Sequence, residues 1–136
     1  AGRFRKSATS GDICFMTDTK RYYVTTPIYY VNGSPHIGTA TTTLLADAVR
    51  RYETLRGRNP FFLTGTDENA RKVLEAAQAA GREPMAFVDE VSKRFVDTWA
   101  YLHCDYDRFI RTTEPRHAFV VQEVFRRLTE TGDIYK

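Results

Sequence analysis

The residues best suited to chemistry follow Tyr22–Thr26, a short β-branched and aromatic run that predicts a buried strand. After a loop, a helical pattern begins at His36, with Gly38 and Thr39 in its first turn. Free N–H groups and a positive dipole end make a helix start attractive to anions, so His36 and Thr39 are suited to hold a triphosphate. Gly38 lacks a Cβ and lets a sugar or base approach the backbone. The pattern therefore indicates a nucleotide site.

The same stretch has a purely structural interpretation. Ser34 would cap the helix, Pro35 would occupy its first turn and His36 would be a solvated surface residue. Neither a GxxxxGKS or GxxxxGKT motif nor a GxGxxG motif occurs, so a P-loop and a dinucleotide fingerprint are excluded. Any phosphate site must be of another type.

A second group of polar residues, Gly65-Thr66-Asp67-Glu68, follows the next predicted strand. One hypothesis is that Asp67 or Thr66 caps the following helix. The other is that Asp67 binds a substrate ammonium group in the crevice between the two strand ends, where open α/β sheets bind their ligands.

Three residues that leave the first strand could line a small apolar pocket beside this crevice: Ile28, Tyr29 and Tyr30. The alternative is that the two tyrosines pack into the core, as aromatic residues next to a strand usually do.

Alternating strand and helix signals predict the framework that positions these residues, an α/β fold with parallel strands joined by crossovers. The predicted strands are Tyr22–Thr26, Pro60–Thr64 and Arg108–Arg111, with a further strand beginning at Ile134-Tyr135. A loop is predicted over Pro27–Pro35, and a turn over Gly65–Asp67.

Four helices are predicted between and after the strands. They begin at His36, at Glu68, near Pro84 and after Thr113-Glu114-Pro115, and their ends are placed at Gly57, Ala80, Leu102 and Gly132. The apolar residues of the first helix lie on a common face and comprise Ile37, Leu44, Leu45, Ala48, Val49, Tyr52 and Leu55. The last helix carries Val121, Val124, Phe125 and Leu128.

Composition narrows the function classes. The net charge of +3 arises entirely from residues 1–21, so a basic nucleic-acid-binding surface on the body is not supported. The composition of residues 1–21 predicts a flexible basic tail, either a plain terminus or the remnant of an organelle transit segment.

The two cysteines, Cys14 and Cys104, are far apart and have no CxxC partner, which predicts no disulfide and no metal site. No apolar run approaches the ~20 residues of a membrane span.

Four segments in order, YYVTTPIYYVNGSPHIGTA, FFLTGTDE, AAQAAG and DRFIRTTE, resemble the amino-terminal part of methionyl-tRNA synthetases from about Tyr22 to Lys136. The resemblance implies the first half of the Rossmann-like parallel sheet (HUP-type) of a class I synthetase catalytic domain. That half would span residues 22–132, and residues 133–136 would begin an inserted connecting domain. The implied activity is that of a methionine–tRNA ligase, which activates methionine with ATP and transfers it to tRNA(Met).

The resemblance also assigns roles to individual residues. His36-Ile37-Gly38-Thr39 falls on the HIGH signature, so His36 and Thr39 would be catalytic. ATP, carried with Mg2+, would contact Asn32, His36, Gly38 and Thr39, and methionine would contact Ile28, Tyr30 and Asp67. Zinc is implied only in a downstream segment that these residues do not include, and the tRNA contacts would lie mostly outside them.

Two departures from the family pattern bear on activity. Thr39 stands where the family has the second histidine of HIGH, and Asn69-Ala70 stand where His-Gly usually follows GTDE. The second ATP signature, KMSKS, is absent, so the 136 residues alone are expected to be inactive and a partner chain would be one source of the rest of the fold. The implied location is the cytoplasm or an organelle matrix, mitochondrial or plastid, with no membrane association.

Two other functions remain open. The chain could be a catalytically inactive synthetase-like fragment that serves as a binding or assembly subunit, which the changes at Thr39 and Asn69-Ala70 would explain. A small nucleotidyltransferase with an HxGH-like helix start would use the same phosphate chemistry but leaves Tyr29, Tyr30 and the GTDE segment without a role.

Overall fold

A computed structural model of the protein describes residues 21–135. The predicted tail, except Arg21, and Cys14 lie outside these residues. The elements in chain order are β1 (Arg21–Thr25), β2 (Tyr29–Tyr30), α1 (Ile37–Leu55), β3 (Asn59–Asp67), α2 (Arg71–Ala79), α3 (Pro84–Tyr101), β4 (Arg108–Arg111) and α4 (Pro115–Glu130). The alternation of strands and helices that the sequence predicts is confirmed.

The sheet is parallel throughout, with β3 at its centre. Thr66 of β3 pairs with Tyr29 of β2 on one side and with Arg111 of β4 on the other, while Leu63 lies in the same way between β1 and β4. Strands β1 and β2 therefore follow one another along the same edge of β3. This arrangement places the ends of β2 and β3 side by side, where the candidate site residues lie.

The core lies on one face of the sheet, beneath α1 and α3. The ring of Tyr29 stacks on Phe95 at 5.7 Å and meets Trp99 at 5.8 Å, while its hydroxyl shares a 2.9 Å hydrogen bond with Thr43 of α1. Phe62, Phe95 and Trp99 are fully buried or nearly so. Tyr29 is therefore a core residue that joins the sheet to both helices.

The opposite face of the sheet carries exposed aromatic side chains. Tyr23 and Phe61 stack on each other at 6.3 Å, and both are exposed to a large extent. A hollow of about 500 Å³ lies between this face and the start of α4, with Leu63, Ile110 and His117 in its wall.

The common apolar face of α1 is not the face that packs on the sheet. Its apolar stripe is exposed, to 83% at Ile37 and 87% at Leu55, and the helix instead buries Thr43, Ala46, Asp47 and Glu53. At 100° per residue these buried positions lie opposite the stripe. The side of α1 that meets the sheet carries small and polar side chains, among them Thr43, whose hydroxyl shares a hydrogen bond with Tyr29.

The apolar face of α4 is exposed as well. Phe119, Val120, Val121, Val124, Phe125 and Leu128 all remain accessible, and no residue of this helix is buried. The predicted helix is confirmed, and its apolar side chains do not become buried against any of residues 21–135.

Three boundaries differ from the prediction. The loop over Pro27–Pro35 contains the short strand β2, the turn over Gly65–Asp67 is the end of β3, and Ile134-Tyr135 are not in a strand. Gly65 lies within β3, where a Cβ would be 2.1 Å from the Ile110 carbonyl oxygen of β4, so only glycine allows the two strands to approach this closely. The strand extends three residues beyond the sequence signal, to Asp67.

An ion-pair group ties α1 to the segment before β4. Arg50 donates to Asp105 at 2.6 Å and to Asp107 at 3.3 Å, while Asp107 also accepts the Phe62 backbone N–H at 2.7 Å. Burial alone would raise the pKa of the Asp107 carboxyl, but the hydrogen bonds from Arg50 and Phe62 outweigh it and hold this pKa below its ordinary value. The ionised carboxylate therefore stabilises the fold.

Asp107→Asn is expected to lower the free energy of unfolding at pH 7, with a difference from the unchanged chain that shrinks toward pH 3. The stabilisation from a lowered carboxyl pKa is present above about pH 4 and is lost as the pH falls through the folded-state value. Urea unfolding of both chains at several pH values measures the difference. A gap that stays constant from pH 7 to pH 3 would contradict this assignment.

Among the described residues, no helix combines the length and the apolar character needed to cross a bilayer.

Candidate active site at the carboxyl ends of the strands

His36 is the residue that caps α1. Its backbone is extended, with φ −128° and ψ 173°, and its Nδ1 accepts the Gly38 N–H at 3.1 Å. The predicted cap at Ser34 is therefore wrong. Because Nδ1 is an acceptor here, the proton of a neutral imidazole lies on Nε2. His36 thus presents an N–H donor, on an exposed side chain, at the positive end of a helix.

Thr39 completes a capping box with His36. Its hydroxyl accepts the His36 backbone N–H at 3.1 Å and donates to the His36 carbonyl oxygen at 2.8 Å. A hydroxyl has a single proton, so in this arrangement none is left for a phosphate oxygen. The hydroxyl of Thr39 holds His36 in place, and His36 carries the available side-chain donor.

Gly38 leaves room for the imidazole. A Cβ at this position would lie 3.0 Å from Cε1 and 3.1 Å from Nδ1 of His36. The space that the sequence analysis assigned to a sugar or base beside Gly38 is occupied here by the His36 ring. Glycine at this position therefore serves the orientation of the histidine.

A cleft of about 230 Å³ brings most of the predicted site residues together. Its lining residues are Ile28, Tyr29, Tyr30, Asn32, Gly33, Ser34, His36, Thr39 and Phe95. Ile28 and Tyr30 are exposed to it and to solvent, whereas Tyr29 and Phe95 form its floor from the core. Gly38 and Asp67 are not among the lining residues.

Asp67 lies at the end of β3, directly paired with Tyr30 of β2. Its carboxylate is half-buried, and its one hydrogen bond within residues 21–135 is a long contact of 3.4 Å from the Asn69 N–H. No ion pair involves Asp67 in the described part of the chain. Among the described residues it is therefore a carboxylate with no paired cation, beside the tyrosine that lines the cleft.

The capping hypothesis for Thr66 and Asp67 is wrong. Helix α2 begins later, with Ala70 at its cap position and no side-chain cap. Thr66 is fully buried, where it binds Ser92 at 3.1 Å and Glu68 at 2.8 Å. Asp67 is thus not used by the helix that follows it.

Three further residues support the site, and the sequence analysis assigned none of them this role. Glu68 is buried with its carboxylate bound to Arg111, and Arg94 of α3 donates to Ser34 at 3.0 Å, which fixes the loop before His36. These contacts join residues about 40 to 60 positions apart. No local sequence pattern predicts these contacts, because each partner alone is an ordinary polar residue.

No group of three or more His, Cys, Asp or Glu side chains that could hold a metal ion occurs in residues 21–135. Cys104 is buried, and burial raises the pKa of its thiol.

A sequence model of the family described as "tRNA synthetases class I (M)" matches residues 22–136. The chain belongs to this family. The match covers the whole described fold except Arg21, the first residue of β1.

Curated relatives of this class I synthetase chain are methionine–tRNA ligases. That of Thermotoga maritima is 51% identical over 116 residues, which are 85% of this chain and 18% of the relative. That of Helicobacter pylori strain 26695 is 50% identical over 113 residues, 83% of this chain and 17% of the relative. The chain therefore spans less than a fifth of the length of these relatives.

Solved structures agree in fold. Methionyl-tRNA synthetase of Mycobacterium tuberculosis, in complex with methionyl-adenylate, matches with a TM-score of 0.83 at 43% identity, over 85% of this chain and 23% of that one. The LeuRS of Agrobacterium radiobacter K84, in a ternary complex, matches with a TM-score of 0.81 at 24% identity, over 87% and 15%. The α/β fold with its parallel sheet is thus that of class I synthetases.

Proposed function

We propose that the chain is the amino-terminal part of a methionine–tRNA ligase and forms one side of the site that activates methionine with ATP. The observation that carries this proposal is the pairing of Tyr30 with Asp67, which places a carboxylate with no cation partner among residues 21–135 beside the cleft lined by His36. An α-amino acid needs an anionic partner for its ammonium group, and ATP needs donors for its phosphates. The Asp67 carboxylate and the His36 donor both lie near the carboxyl ends of the strands.

The methionine ammonium group binds Asp67 in this proposal. A half-buried carboxylate attracts a cation more strongly than one in water because the local dielectric is lower. The methionine side chain lies against Ile28 and Tyr30, which offer apolar surface at the same edge. The methionine carboxylate then points toward the start of α1.

The phosphates of ATP lie against His36 and the first turn of α1. A methionine carboxylate oxygen attacks the α-phosphorus, the bond to the bridging oxygen breaks, and pyrophosphate leaves with the electron pair. Negative charge grows on the α-phosphate oxygens during this displacement. The Nε2–H of His36 and the helix dipole stabilise that charge, so this chain contributes positioning and electrostatics and no covalent step.

Asn32 lines the cleft close to His36 and is assigned to ATP in the same proposal. Mg2+ accompanies ATP as its phosphate complex, and no residue of this chain is assigned to hold it. Transfer to tRNA(Met) and the remaining contacts to ATP are assigned to protein outside these residues, in the same polypeptide or in a partner.

Methionine-dependent ATP–pyrophosphate exchange by the full-length product of the gene tests the proposal. We expect exchange with methionine and background rates with leucine, isoleucine and valine. Exchange with one of those amino acids instead would reassign the substrate. No exchange with any amino acid would refute the enzyme hypothesis and support a binding or assembly subunit.

A further inference from the structure

Glu68 is the most completely enclosed carboxylate near the site. It is 5% exposed, and its side chain accepts hydrogen bonds from Thr66 at 2.8 Å, from Arg111 at 2.7 Å and from the Thr113 hydroxyl. A buried carboxylate is tolerated only when it is paired and hydrogen-bonded. Glu68 meets both conditions, and its three donors come from β3, from β4 and from the segment that leads to α4.

Arg111 extends this contact to α3. Its Nε donates to Glu68 and its Nη2 donates to Asp89 at 2.6 Å, so one guanidinium bridges two carboxylates. The hydrogen bond that Arg111 donates to the Glu68 carboxylate is the largest cause that raises the pKa of Arg111. The planar guanidinium can serve both partners at once because its donors point in fixed, different directions.

Asp67 lies between two residues that this network anchors. On one side, the Thr66 carbonyl oxygen accepts the Thr112 N–H at 3.3 Å, and on the other the Glu68 N–H donates to the Thr112 hydroxyl at 2.8 Å. Successive side chains of a strand point to opposite faces. Thr66 is directed into the core, so Asp67 is directed to the other face, with a backbone that is held on both sides.

We infer that Glu68 and Arg111 form a positioning pair that fixes the direction of the Asp67 carboxylate toward the methionine ammonium group. The inference rests on the proposed function. Neither residue touches a substrate in it. Their effect reaches methionine through Asp67, so weakening the pair alters methionine binding while leaving the phosphate contacts at His36 unchanged.

The chain offers a closely matched control at the other end of β3. Arg58 pairs with the buried Glu53 at 2.9 Å, and the side chains of Arg58 and Arg111 are 30% and 31% exposed. Both arginines thus pair with a buried glutamate, but Arg58 precedes β3 and Arg111 pairs with Thr66 close to its end. Arg111→Lys and Arg58→Lys each keep the positive charge and remove the fork.

In pyrophosphate exchange by the full-length gene product, Arg111→Lys is expected to raise the KM for methionine roughly tenfold and to leave the KM for ATP within about twofold. Arg58→Lys is expected to leave the KM for methionine and the KM for ATP within about twofold, even if it lowers the melting temperature as much as Arg111→Lys does. Glu68→Gln, compared with Glu53→Gln, repeats the comparison from the other side of each pair.

Equal methionine KM values in Arg111→Lys and the unchanged enzyme, with exchange intact, would overturn the inference and leave the proposed function standing. A parallel rise for methionine and ATP, or equal effects of Arg111→Lys and Arg58→Lys, would also overturn it, because either pattern indicates general loss of structure. If the unchanged enzyme shows no exchange, the proposed function itself fails.

Discussion

Replacing His36 with serine is expected to reduce methionine-dependent pyrophosphate exchange by the full-length gene product by roughly a hundredfold or more, mainly in kcat. The imidazole has two functions in the structure: Nδ1 caps α1, and Nε2 carries the proton available to a phosphate. Serine is a good helix cap, but its hydroxyl is too short to reach the same place as Nε2. The substitution therefore removes the donor and keeps the cap.

His36→Ala separates the two functions. Alanine cannot cap, so this variant is expected to lose about 1 kcal/mol of stability in addition to the activity. Thermal unfolding of both variants measures the cap, and exchange kinetics measure the donor. Wild-type exchange in His36→Ser would show that the histidine serves only the helix, and would remove the phosphate role proposed for it.

Replacing Asp67 with asparagine is expected to raise the KM for methionine roughly a hundredfold, with the KM for ATP within about twofold. Asparagine keeps the size of the side chain and its contact with the Asn69 N–H but removes the charge. The carboxylate has no cation partner in the described residues, so its charge is available to the ammonium group of the substrate. The loss therefore falls on methionine.

Asp97→Asn provides a control for the change in net charge. Asp97 lies on α3 and pairs with Lys93 on the surface, where an ion pair contributes little. We expect its kinetics to match those of the unchanged enzyme. A methionine KM that stays unchanged in Asp67→Asn would contradict the ammonium role, and equal shifts in both variants would indicate a general charge effect.

The two predictions concern different substrates at one edge of the sheet. His36 and Asp67 come from segments about thirty residues apart, and both lie near the carboxyl ends of β2 and β3, which are parallel and end side by side. The order of strands and helices predicts this placement. The third contributor, the pair of Glu68 and Arg111, is not predicted, because a buried ion pair between distant residues has no local signature.

The apolar spacing in α1 predicts the helix but not the face that packs on the sheet. The spacing of its apolar residues correctly predicts a helix and which residues share a face. The sheet nevertheless packs against the opposite face, which carries Thr43 and Ala46. The spacing of apolar residues predicts which side chains share one face of the helix. It does not predict which face of the helix packs against the sheet.

The cap of α1 also depends on contacts that local sequence preferences do not predict. Ser34, Pro35 and His36 are all reasonable residues for a helix start, and the local preferences favour Ser34 as the cap. In the structure His36 takes that place because Thr39 closes a capping box with it, and because Gly38 leaves space for the ring. The choice of cap depends on how His36, Thr39 and Gly38 fit together, which single-residue preferences do not describe.

By itself, the sequence determined the α/β order of elements, the parallel sheet and the place of His36 at a helix start. These features follow from local backbone preferences and from side-chain period. Only the tertiary structure decided which helix face is buried, that Tyr29 belongs to the core, and that Asp67 ends β3 with no cation partner among residues 21–135 while Glu68 is paired with Arg111. Those outcomes depend on contacts between residues far apart in the chain, whose energies no local stretch of sequence contains.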